Sequence, residues 1–428
     1  MNIRFKNAKI LTTKDDHTFD IIDGELWVVG DEIAYVGDGS RVPAESPIAW
    51  DETRDCEGNL LMPGFKDAHT HTAMTFLRSY ADDLPLSDWL NKQVFPREAQ
   101  LTADDIYWLS ILGIMEYLTS GITSNFDMYF HPQTIAKASN DCGFRTVQTS
   151  GLNNFSTSIE ELSEDYQAVN GMGPLQSFLI GFHAEYTTSK ELMEGIAGLC
   201  SKFQSSCWLH NSETKAEVEG CKERYGMTPT ELTESLGMYE YGGGGYHCVW
   251  FSDEDFEIFR KHHLTAVTNP CSNLKLASGI APIQRFIREG INVAIGTDGP
   301  ASNNALDMWR EMYLTSTLSK VREMDAASIK ADEILYAATA GGAAAMGLSC
   351  CDRLAAGKKA DIILIDLQQP NMQPENNLVK NLVYAGGKQN VIMTMVNGRI
   401  LYEKGTFDIG FDPAEIYAKA NAVIQRMQ

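Results

Sequence analysis

"NLLMPGFKDAHTHTAM", residues 59–74, ends an apolar run in Pro63-Gly64 and then sets His69 and His71 one residue apart. In an extended segment, side chains two apart project to the same face. The pair therefore offers two imidazoles side by side at a strand end, as a strand presents nitrogen ligands to one metal ion. Short apolar stretches leading into helical patterns recur along the chain. They are "GITSNFDMYF" (121–130), "GFRTVQTSGL" (143–152), "FLIGFHAEY" (178–186), "SCWLHNSE" (206–213), "YHCVWFS" (246–252), "LTAVTNP" (264–270) and "INVAIGTDGP" (291–300). With the opening segment these make eight. Eight strand–helix units across residues 61–349 have the number and size of a TIM-like (β/α)₈ barrel of the α/β class.

The flanks read differently. "IRFKNAKILTT" (3–13), "GELWVVGDEIAYVGDG" (24–39) and "TRDCEGNLLMPG" (53–64) show alternation and Gly-Asp turns but no helical period. "KKADIILIDLQQP" (358–370) and "NVIMTMVNGRILYEKGT" (390–406) return to alternating strands. Residues 1–60 and 350–428 are therefore expected to join as one composite β-sandwich beside a barrel of residues 61–349. "LTADDIYWLSILGIMEYLTSG" (101–121) reads as an amphipathic helix started by Thr102 and stopped by Gly121. The run Gly242–Gly245 lacks the lysine and following helix of a phosphate cradle and reads as a flexible connector.

Composition narrows the function. A net charge of −22 argues against nucleic acid and anionic membrane surfaces as partners and leaves a small-molecule substrate. The N-terminal stretch has no signal-peptide core, and no uncharged run approaches a membrane span. Nine scattered cysteines without a CxxC pair indicate neither a disulfide framework nor a thiolate zinc site. A reducing cytoplasm fits that usage.

Barrel chemistry collects at the C-terminal ends of the strands. Those ends carry His69 and His71, His183, His210 with Glu213, His247 and Asp298. Three histidines and an aspartate suit a catalytic Zn²⁺ or Fe²⁺ that keeps a water, whose pKa the ion lowers towards neutrality. His17, His262 and His263 read as surface residues, and His131 as a candidate pocket residue at the end of strand two.

"MPGFKDAHTHTAMTFLRSYADDLPLSDWL" (62–90), "LHNSET" (209–214), "HCVW" (247–250), "NPCSNLKLASGIAP" (269–282) and "GTDGPASNN" (296–304) resemble the amidohydrolase superfamily. More narrowly, they resemble its branch of methylthioadenosine/S-adenosylhomocysteine deaminases and related triazine hydrolases. The likeness extends to "GKKADIILID" (357–366). It implies one divalent metal, Zn²⁺ first with Fe²⁺ or Mn²⁺ as alternatives, held by His69, His71, His210 and Asp298. It assigns proton handling to Glu213 and His247, with Asp298 relaying a proton to the leaving amine. His183 matches a substrate contact, Trp89 a cover over the base, and Glu98 an anchor for ribose hydroxyls. Relatives of this branch form dimers or tetramers, so the resemblance also implies a homo-oligomer.

Three departures bear on substrate. Ser150 stands where the branch carries an arginine for a substrate carboxylate, Glu185 replaces a proline, and Thr268 replaces a histidine. The first two disfavour an acidic tail, because an unpaired buried charge is costly. The expected activity is hydrolytic deamination of an aminopurine nucleoside of the adenosine, 5′-deoxyadenosine or 5′-methylthioadenosine type. The alternatives are a free base, pterin or triazine losing amine or chloride, and, more remotely, a catalytically idle metal-binding protein.

Overall fold

The computed structural model describes residues 1–41 and 48–427. Eight parallel strands follow one another around a barrel in chain order. They are Phe65–Thr70, Ile122–Met128, Arg145–Thr149, Gln176–Gly181, Cys207–Asn211, Gly243–His247, Thr265–Thr268 and Asn292–Ile295. Strand two is buried at all seven positions, as a strand with helices outside and a filled barrel inside must be. Strands eight and one are closed through side chains as well. The Asp67 carboxylate accepts the Thr297 N–H at 2.8 Å and its hydroxyl at 2.6 Å. The expected barrel is present.

The helix signals act as they read. Ala103–Ser120 is one helix, opened by a reciprocal capping box between Thr102 and Asp105 and closed by Gly121 in the left-handed region, φ 80°. The Gly242–Gly245 reading needs correction. Gly243–His247 is barrel strand six itself, with Gly243, Gly244 and Gly245 in register with Cys207, Trp208 and Leu209. A Cβ on Gly244 would lie 2.1 Å from the Thr265 carbonyl oxygen and 2.7 Å from the Trp208 ring. At Gly244 the space is already filled by Trp208 and the Thr265 carbonyl, whereas Gly243 (φ 124°) lies against the Cys207 backbone and Gly245 against Asn211.

Both ends of the chain meet in one nine-stranded mixed sheet. Strand Leu60–Pro63 runs parallel to Asn2–Thr13 on one side and antiparallel to Ile362–Ile365 on the other. Buried residues from both arms, among them Phe5, Val28, Leu61, Ile362 and Met395, enclose one apolar core. Leu60–Pro63 continues through Gly64 directly into barrel strand one. A Cβ at Gly64 would fall 2.1 Å from Thr123 Cγ2, so only glycine lets the chain pass. Beneath the barrel, the fully buried Asp361 takes a two-pronged ion pair from Arg145, at 2.7 and 3.0 Å. Lys66 Nζ lies 3.9 Å away. This cluster joins the sheet to the floor of the barrel.

Candidate active site

The strand ends converge as their sequence positions require. The rings of His69 and His71 sit 4.8 Å apart, centre to centre, and His69 is 4.9 Å from His210. One ligand atom each from His69, His210, His247 and Asp298 fall within 4.8 Å of one another. His71 belongs to the same centre. Its Nε2 is 3.2 Å from Asp298 Oδ1 and 3.3 Å from His210 Nε2. Five donors thus surround one point.

Their outer atoms define their inner ones. His71 Nδ1 lies 2.6 Å from the Met128 carbonyl, and His210 Nδ1 lies 2.7 Å from the His183 carbonyl. A carbonyl can only accept, so each ring carries a proton on Nδ1 and turns its Nε2 inward, where His71 Nε2 meets Asp298. His247 is arranged likewise, its Nδ1 2.7 Å from Asn273 Oδ1. His69 is stacked on Tyr246 at 3.7 Å, and neither of its buried nitrogens makes a hydrogen bond. A buried imidazole that makes no hydrogen bond is costly unless something else takes its lone pair. A divalent cation would take it and fits the His/Asp donor set.

The electrostatics agree. Burial lowers His69 to about 3 and His183 to about 4, and holds His210 well below its ordinary value, so all three are neutral. Asp298 stays well below the carboxylate range despite burial, because the Nε2 atoms of His69 and His71 face its Oδ1 at 3.4 and 3.2 Å. Against its own burial, Asp298 lifts His71 to about 9.

Backbone strain accompanies the donors. His247 (φ 70°), Cys248 (φ 49°), Ser212 (φ 53°) and Asp298 (φ 57°) all occupy the left-handed region. Each such residue costs roughly 1 kcal/mol. Cross-strand bonds keep them there, with Asp298 N–H on the His69 carbonyl at 2.9 Å and Cys248 N–H on the Asn211 carbonyl at 3.1 Å.

Glu213 stands beside the donors, 5% exposed, with Oε2 3.9 Å from His247 Nε2. Its backbone is fastened by Glu217, whose carboxylate accepts the N–H groups of Ser212 at 2.9 Å and Glu213 at 2.7 Å. Burial and the neighbouring Glu213 raise Glu217 to about 8. The T-x-x-E signature at Thr214–Glu217 was the sequence signal for this support.

The cavity over this centre is walled by Trp89, Phe95, Tyr129, Leu276 and the ligating rings, with His183 and Glu98 among its lining residues. Burial pushes Glu98 up to about 7 against the opposing pull of the adjacent Tyr129 hydroxyl, and its Oε1 makes no hydrogen bond of full geometry. Past Glu98 the cavity opens into an outer vestibule of about 1020 Å³, where Ser150 and His131 lie. Its lining holds Glu98, Glu161, Glu164 and Asp165 but no lysine or arginine.

One expected substrate contact, Glu185, sits elsewhere. Ser150 lines the vestibule, where its Oγ accepts the Leu152 N–H at 3.0 Å. Glu185 lines neither cavity, and its carboxylate accepts from Arg224 on the next helix. The anion expected at the distal pocket is therefore neutralised outside it, by a residue 39 positions away that no local pattern reveals. Thr268 is buried at the end of strand seven and lines neither cavity. Sequence reasoning also missed Asn273, Ser278 and Ser302, small polar residues that act only through neighbours. Ser302 donates to Asp298 Oδ2 at 2.8 Å.

An eight-stranded barrel with a buried His/Asp donor set at its C-terminal rim, and a carboxylate beside it, defines the class of metal-dependent barrel hydrolases. Residues 60–401 match the amidohydrolase family, and the chain belongs to it. It is 39% identical to the 5-methylthioadenosine/S-adenosylhomocysteine deaminase of Caldanaerobacter subterraneus subsp. tengcongensis, over 94% of each chain. It is 37% identical to the 5′-deoxyadenosine deaminase of Methanobrevibacter smithii, over 100% of this chain and 98% of that one. Among solved structures, an adenosine deaminase from Xanthomonas campestris with bound zinc superimposes with a TM-score of 0.91 at 29% identity, over 99% of both chains.

Proposed function

We propose that this protein is a metal-dependent hydrolytic deaminase of adenine nucleosides that lack an acidic tail. The observation that carries the reading is Glu213 Oε2 facing His247 Nε2 beside a donor set in which neither nitrogen of His69 makes a hydrogen bond. The names of the relatives supply the substrate class.

His69, His71, His210 and Asp298 would hold the ion, and His247, the fifth donor, is left to face the reacting oxygen. When bound, a divalent metal lowers the pKa of a coordinated water and makes it nucleophilic at neutral pH. The chain's own groups do the rest. Glu213 takes the proton of the attacking water and delivers it to the ring nitrogen next to the amino-bearing carbon. His247, whose Nδ1–H is fixed on Asn273, stabilises charge on the added oxygen through an Nε2–H. Asp298 takes the remaining proton of the added hydroxyl and passes it to the departing amine, and ammonia leaves. Trp89 covers the base, His183 contacts the substrate, and Glu98 takes the ribose hydroxyls, which would satisfy its Oε1.

The tail selectivity follows from the vestibule. A substrate carboxylate entering a space lined by carboxylates, with no lysine or arginine among the described residues to meet it, is disfavoured. Glu185 plays no part in that selection, because Arg224 already neutralises it.

The test is ammonia release by zinc-loaded protein from adenosine, 5′-deoxyadenosine, 5′-methylthioadenosine, S-adenosylhomocysteine, guanine, a pterin and an amino-triazine. The expected result is turnover of the three neutral nucleosides, with kcat/KM for S-adenosylhomocysteine lower by about tenfold or more. Equal turnover of S-adenosylhomocysteine removes the tail selectivity. Activity confined to a free base, pterin or triazine removes the nucleoside reading and the role of Glu98.

A further inference from the structure

The loop after barrel strand seven carries a serine that no metal or pocket motif singles out. Ser278 is 4% exposed and donates its hydroxyl to Glu213 Oε1 at 2.8 Å. We propose that Ser278 is a positioning residue for proton transfer, acting through Glu213; the proposal rests on the reading of Glu213 as the proton-handling group.

A free glutamate carboxylate turns easily about its last torsion, so its two oxygens exchange places. The charge-assisted bond from Ser278 removes that freedom. Oε1 is taken by the hydroxyl, and Oε2, the oxygen facing His247, is left for the proton that moves. Ser278 does not line the cavity, so its influence on substrate passes through Glu213.

The serine is itself held with unusual care for a loop residue. Its N–H donates to the Asn273 carbonyl at 2.8 Å, and its carbonyl accepts the Trp250 indole N–H at 2.8 Å. The flanking residues take backbone conformations that force the loop inward, Ala277 at φ 54° and Gly279 at φ 130°. A Cβ on Gly279 would meet Val249 Cγ1 at 2.8 Å, so glycine lets the loop lie against Val249 and Trp250. Asn273, which orients His247, belongs to the same segment. One short stretch thus holds both Glu213, through Ser278, and the histidine that faces it, through Asn273.

The test is a double-mutant cycle on the metal-loaded full chain, with 5′-methylthioadenosine as substrate and with bound metal and KM measured for every variant. Ser278→Ala is expected to lower kcat by about 10- to 100-fold. KM should stay within about twofold and the metal content should not change. Ser278→Thr, which keeps the hydroxyl, is expected to retain most of kcat. In a Glu213→Gln background, Ser278→Ala should cost less than about twofold, because the group it acts through is already gone. Wild-type kcat in Ser278→Ala, or a full additional loss in the Glu213→Gln background, overturns the proposal while leaving the role of Glu213 standing. Wild-type turnover by Glu213→Gln removes the reading of Glu213 and the proposal with it.

Discussion

At the scale of single residues, the site is a set of buried groups whose partners are missing or one-sided, and each makes a measurable demand. Glu213→Gln keeps the shape but cannot carry a proton. It should retain metal and lose about 10²-fold or more in kcat, read by ammonia release alongside metal analysis. Neither nitrogen of His69 makes a hydrogen bond. Chelation should therefore abolish turnover, and metal that binds only the native chain should raise the melting temperature on reloading with Zn²⁺, Mn²⁺ or Fe²⁺. A melting temperature indifferent to metal would contradict the site. Glu185 shows how a residue's meaning depends on its neighbour. By sequence it is an added anion near the pocket, whereas in the fold Arg224 claims it.

At the scale of elements, the glycines of strand six decide the geometry beneath the site. Trp208, from strand five, fills the barrel interior against Gly244, and His247 follows three residues later. Gly244→Ala should destabilise the protein by about 3 kcal/mol, the upper end of ordinary overpacking, because one of the atoms it meets is backbone. Chemical denaturation measures this. An unchanged midpoint would mean that strand six moves more freely than its register implies. The capping boxes at Thr102, Thr214 and Ser252 were readable in the sequence because each is a contact between residues three apart. The start of strand six was not: the sequence places the strand at 246–252, whereas it begins at Gly243. Glycine runs have no side-chain period, and the atoms that leave room only for glycine, Trp208 and the Thr265 carbonyl at Gly244 and Asn211 at Gly245, come from neighbouring strands.

At the scale of the whole molecule, the terminal sheet and the barrel share one buried ionic joint. Burial alone would raise Asp361, but Arg145 and Lys66 outweigh it and hold the carboxyl at about 2, against an ordinary 3.8. A folded value below the unfolded one means stability that is complete above about pH 4 and lost as pH falls towards 2, worth about 2 kcal/mol. Stability measured across that window should fall with acid, and Asp361→Asn should flatten the part due to this group. Arg145→Ala leaves Asp361 buried without its main partner and should cost about 3–5 kcal/mol. Among the described residues, no helix is long and apolar enough to cross a membrane.

The barrel and the sharing of one sheet between the two ends of the chain are legible in the chain alone, and the strand-end histidines and Asp298 stand out there as candidate donors. These rest on periodicity, on turn chemistry and on residue types that do only a few things when buried. Which donor faces which was decided by the tertiary structure alone. The inward Nε2 of His71 and His210, the pairing of Glu185 with Arg224, and the hold of Ser278 on Glu213 all join residues 27 to 65 positions apart. The physical reason is that a hydrogen bond depends on distances of a few tenths of an ångström. Local sequence sets the direction of a side chain, whereas the packing of eight strands sets what lies at its tip.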